Sequence, residues 1–81
     1  MNAKQHIGHI IQERRTQMRI TQEQLAEMAQ VGINTLYKIE KGDANPTLSS
    51  LEKIADVLGL EITLKVKEIP GIGNETGKDL L

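Results

Sequence analysis

His6 and His9 stand three residues apart, a spacing that on a helix brings two imidazoles to one face. Two imidazoles with a third ligand could hold zinc. The chain has no cysteine and offers no third ligand at matching spacing, so the two are read as surface histidines and no metal is expected. Asp and Glu total 11, yet no Ser/His/Asp set, Cys/His pair, phosphate-binding glycine loop or HExxH motif organises them. The sequence therefore points away from an enzyme, and no cofactor is expected. What remains is recognition chemistry: amides, guanidinium groups and ammonium groups that donate hydrogen bonds. Residues 1–42 carry six Lys or Arg against four Glu, whereas residues 43–81 carry four against seven acidic residues. A polyanion-binding surface should lie in the first half, although the net charge of −1 is not that of a strongly basic protein.

Positioning those groups falls to a small frame. A chain of 81 residues supports one modest domain. It has no Phe or Trp, and Tyr37 is its sole aromatic residue, so aliphatic side chains must form the core. Without cysteine it has no disulfide staple. No apolar run reaches the ~18 residues of a membrane span, and Met1 to Ile11 lacks the basic-then-apolar pattern of a secretion signal. The expectation is a cytoplasmic protein with no membrane partner.

Hydrophobic spacing divides the chain. Ile7, Ile10, Ile11 and Met18 predict one face of a first helix over 3–18. Thr21 followed by Gln24 reads as a capping box opening a short helix over 22–29, with Leu25, Met28 and Ala29 inward. Gln30-Val31-Gly32 breaks the pattern, with Gly32 as the cap of a third helix over 33–40. Leu36, Ile39 and Thr35 are expected to face inward, and Gly42 to end the helix. Thr47 caps a fourth helix with a stripe of Leu48, Leu51, Ile54, Ala55 and Leu58, closed by Gly59.

The period then changes to two: Leu60, Ile62, Leu64 and Val66 alternate with Glu61, Thr63, Lys65 and Lys67. This reads as a half-buried strand. A lone strand leaves its backbone groups unpaired, so the economical partner is the same strand of a second copy, antiparallel about a two-fold axis. The domain organisation is thus a helical unit over 1–59, a dimerising strand over 60–68 and a flexible tail over 69–81, rich in Gly and polar residues.

Two short helices over 22–29 and 33–40 have the dimensions of a helix-turn-helix. The stretch ITQEQLAEMA from Ile20, NTLYKIEKG from Asn34 and NPTLSSLEKIA from Asn45 resembles the phage repressor/Cro (XRE-type) family over about residues 7–60. The resemblance implies a mainly α, four-helix lambda-repressor-like fold whose third helix enters the DNA major groove. It places Ile33, Asn34, Tyr37 and Lys38 at base edges. There Asn34 suits adenine, Lys38 suits guanine and Ile33 suits a thymine methyl, Ile33 being otherwise core. It places Gln22, with Thr21 beside it, on a phosphate at the start of the second helix. Arg14, Arg19, Lys41 and Asn45 are further phosphate candidates or else solvated surface groups. Arg15 and Glu40 are expected to pair.

The sequence departs from the family at Gln30, where Gly is usual, and at Gly32, where Ser or Thr is usual. A left-handed turn costs a non-glycine residue ~1 kcal/mol, so the turn is expected to differ slightly. The strand LEITLKV from Leu60 resembles that of HipB-like antitoxins, which implies a homodimer on a palindromic double-stranded operator and a HipA-like toxin kinase as partner. A stand-alone phage or restriction-modification repressor, and a module that binds protein instead of DNA, are the alternatives.

Overall fold

In the computed structural model, residues 2–65 and 67 are described. Four helices follow one another: α1 (Ala3–Gln17), α2 (Gln22–Ala29), α3 (Ile33–Lys41) and α4 (Leu48–Leu58). The capping chemistry explains most of their ends. Thr21 and Gln24 form the reciprocal box at α2, each side chain meeting the other residue's backbone N–H at 3.0 and 2.8 Å. Asn2 and Gln5 form a second such box at α1. Thr47 accepts from the Ser50 N–H at 3.0 Å to start α4. Gly42 and Gly59 end α3 and α4 in the left-handed conformation.

Packing is aliphatic throughout. Leu25, Leu36, Ile39, Ile54 and Leu58 are the large, fully buried side chains, joined by Ile11, Ala26 and Ala29. At roughly 1.5–3 kcal/mol for each fully buried aliphatic side chain, this cluster outweighs the weak helical tendency of eight- or nine-residue segments. Helix α1 packs on α3 and α4, and α2 packs on α3 and α4. The two short helices are thus held between the two longer ones.

Several expected inward positions face solvent. Met28 is 57% exposed and Leu48 60%, and Thr35 is exposed. Ile10 and Met18 are also on the exposed side of the division. A four-helix domain this small buries only the centre of each stripe, and the flanks remain open. The alternation at 60–65 forms no strand, because a ladder needs a second edge and none lies beside it among the described residues. Leu60 packs on the core, whereas Ile62 and Leu64 stand exposed. Val66 and the tail over 69–81 lie outside the described residues.

One close approach sets how α3 lies on α1. Gly8 is buried where α1 crosses the C-terminal turn of α3. A Cβ there would sit against the Ile39 carbonyl oxygen and 2.8 Å from that of Glu40. Glycine inside a helix costs about 1 kcal/mol relative to alanine, and here that cost permits backbone contact. Gly8→Ala should therefore destabilise the domain by about 1–3 kcal/mol despite alanine's better helix propensity, measured by urea denaturation.

Candidate nucleic-acid interface

Helix α3 divides cleanly into two faces. Leu36, Ile39 and Glu40 are buried, while Ile33, Asn34, Tyr37, Lys38 and Lys41 are exposed. Positions 33, 34, 37, 38 and 41 follow the helical repeat, so they form one outward stripe. Ile33 is 40% exposed and lies at the leading end of that stripe, outside the core. The Lys41 ammonium stands 5.1 Å from the centroid of the Tyr37 ring, a cation–π contact at the trailing end. Its exposed pairing with Asp43 at 3.9 Å is long and solvent-screened. Asparagine supplies a donor and an acceptor side by side, and Lys38 supplies a mobile cation. The stripe can therefore read hydrogen-bonding edges on a polyanion.

The turn before α3 keeps the left-handed geometry without the usual glycine. Gln30 has φ 57° and ψ 42°, and its N–H reaches the Ala26 and Glu27 carbonyls. The expected deviation of this turn is thus absorbed as strain at Gln30. Gly32 starts α3 with no side-chain cap. The backbone bond from the Leu36 N–H to the Gly32 carbonyl, at 3.1 Å, closes the first turn.

Beneath the stripe lies one polar cluster. Arg15 Nε donates to Glu40 Oε2 at 2.8 Å and Arg15 Nη2 donates to Oε1 at 3.0 Å. The third guanidinium nitrogen donates to the Ile20 carbonyl at 2.9 Å. Gln22 Nε2 donates to Glu40 Oε1 at 3.1 Å. The side chains of Arg15 and Glu40 are only 12% and 3% exposed. The hydrogen bonding to Glu40 raises the Arg15 pKa above its ordinary value, against the opposing effect of burial. The Glu40 carboxylate near the end of α3 thus joins α1 to the start of α2, and Arg15 ties in the loop between them.

The remaining candidates are scattered by comparison. Thr21 uses its hydroxyl oxygen as the α2 cap. Arg19 is exposed and left-handed, with φ 60°. Asn45 is exposed in the loop between α3 and α4. Arg14 turns inward: its Nε donates to the Leu58 carbonyl at 2.8 Å, tying α1 to the end of α4. That N–H is committed to the protein rather than to a ligand. His9 pairs with Glu13 at 3.1 Å on the exposed side of α1. Among the described residues, no group of three His, Asp or Glu could hold a metal, and no helix is long and apolar enough to cross a membrane.

This geometry has known counterparts. A helix-turn-helix family model, HTH_3, matches residues 11–65. The chain belongs to the HTH_3 helix-turn-helix family. Its relatives include the immunity repressor protein of Bacillus phage phi105, 39% identical over 62 residues, covering 76% of this chain and 43% of that protein. An HTH-type transcriptional regulator of Sinorhizobium medicae (strain WSM419) is 32% identical over 72 residues, covering 89% of this chain and 52% of that one. The chain therefore spans about half the length of these curated relatives. Among solved structures, the restriction-modification controller protein C.AhdI from Aeromonas hydrophila aligns with a TM-score of 0.68 at 28% identity, covering 72% of this chain and 88% of that one. A structure named MDT Protein aligns with a TM-score of 0.72 at 25% identity, covering 84% of this chain and 96% of that one. Within this HTH_3 domain, the matched segment contains the whole polar cluster and the α3 stripe.

Two outcomes are expected from this geometry. Arg15→Met strips a buried carboxylate of its charge partner and should cost about 3–5 kcal/mol in chemical denaturation. Gln30→Gly relieves the left-handed strain and should raise stability by about 0.5–1 kcal/mol, visible as an increase in melting temperature.

Proposed function

We propose that this chain is a sequence-specific transcriptional repressor that inserts α3 into the DNA major groove, twice, as a homodimer on a palindromic operator. The observation that carries this reading is the outward stripe of Ile33, Asn34, Tyr37 and Lys38 on a helix whose other face is buried. Asn34 and Lys38 contact base edges, Ile33 packs on a thymine methyl, and Tyr37 meets a base or phosphate. Gln22 and Thr21 at the start of α2 bind phosphate together with the helix's free N–H groups, with Arg19, Lys41 and Asn45 adding phosphate contacts. Arg14 is left out of this set because its Nε serves the α4 terminus. The phage immunity repressor and the restriction-modification controller among its relatives favour a stand-alone regulator.

Dimerisation draws on the far end of the chain. Leu48, Ala55, Leu60, Ile62 and Leu64, interleaved with Glu52, Asp56, Glu61 and Thr63, line a groove of about 720 Å³ beside α4, and Leu64 is 99% exposed. A second copy covers the apolar side chains of this groove while residues 60–66 pair across the two-fold axis. That arrangement sets two α3 helices roughly 34 Å apart, one turn of DNA. The resemblance of the segment from Leu60 to the strand of HipB-like antitoxins is what supports the second reading, an antitoxin with a HipA-like kinase. Co-purification of such a kinase with the tagged full chain would select it over a stand-alone repressor.

Titration by fluorescence polarisation against a duplex selected from a random pool tests DNA binding. Affinity should fall with salt, and its absence would favour a protein-binding module. Asn34→Ala should lose about 1–3 kcal/mol of discrimination at one base position, whereas Gln22→Ala should weaken all sites alike. Light scattering should give a dimer for the full chain and a monomer for a chain stopped at Gly59. A dimer that survives this truncation would refute the pairing of residues 60–66.

A further inference from the structure

The Glu40 carboxylate carries one more bond than its ion pair requires. Arg15 satisfies both oxygens through a two-point fork, yet Oε1 also accepts from Gln22 Nε2 at 3.1 Å. An ionised carboxylate only accepts, so the Gln22 amide must turn its nitrogen toward Glu40. An amide nitrogen has two N–H groups, and Glu40 occupies one. Among the hydrogen bonds of the described residues, the Gln22 side chain makes this one alone.

We propose that Glu40 is a positioning residue for phosphate binding: it locks the Gln22 amide so that the second N–H stays presented to a DNA phosphate oxygen. This rests on the phosphate role of Gln22 given above. The physical gain is preorganisation, since a long side chain at a helix start otherwise samples several rotamers and must be ordered on binding. Arg15 makes the arrangement compatible with a polyanion, because its charge offsets that of Glu40 beside the site. The carboxylate thus serves the interface while its side chain remains 3% exposed.

A double-mutant cycle on the full chain, titrated against the duplex selected by the parent protein, tests this directly. Gln22→Ala should weaken binding about tenfold, the size of one charged hydrogen bond. In the Glu40→Gln background the same change should cost less than about twofold, while Asn34→Ala should keep its full effect in both backgrounds. A merely structural Glu40 would leave the losses from Gln22→Ala and Glu40→Gln additive, which would overturn the proposal. Gln22→Ala binding like the parent would overturn the phosphate role itself, and the positioning with it. Glu40→Gln could fail to fold, so the 15N-labelled parent supplies a second measurement. Without DNA, its Gln22 side-chain amide should give a resolved pair of signals with slowed exchange. Averaged random-coil positions for that pair would overturn the proposal.

Discussion

A buried carboxylate in a small domain is stable only when its oxygens are fully engaged, and that constraint organises this molecule. Glu40 meets it through Arg15 from α1 and Gln22 from α2, while Arg15 also holds the Ile20 carbonyl before α2 begins. Desolvating the two charges offsets most of their attraction, so the cluster adds little net stability. Its effect is on geometry, because a shift of α1 or α3 parts the buried carboxylate from its charge partner, and a shift of α2 breaks the Gln22 bond to it.

The same junction explains how a nine-residue helix can hold a defined position. Helix α3 has no side-chain cap at its start and is too short to persist alone. Its leading end depends on the Leu36 and Ile39 packing, and its trailing end on Glu40 and on the contact with Gly8. Because the inner face is fully spent on these contacts, Asn34, Tyr37 and Lys38 are left outward on a rigid base. The strain at Gln30 is tolerated here because Val31 and the core behind it hold the turn.

The C-terminal segment behaves differently because it leaves the helical core after its first residue. Leu60 returns to the core, but Ile62 and Leu64 stand exposed. An alternating pattern describes which face a strand would bury. It cannot supply the second edge that makes the strand.

Capping chemistry and helical spacing are local, so the sequence by itself determined the four helices, the turn between α2 and α3, and the family. The boxes at Thr21 and the glycines after α3 and α4 act within a few residues of where they stand. Only the tertiary structure decided which stripe residues stayed dry, leaving Met28, Leu48 and Thr35 in solvent, since burial depends on what lies opposite. It also decided that Arg14 closes α4 and that Gln22 leans on Glu40, 18 residues further along the chain. Such contacts join side chains whose separation is set by helix packing rather than by spacing along one helix. Local pattern carries no record of that distance.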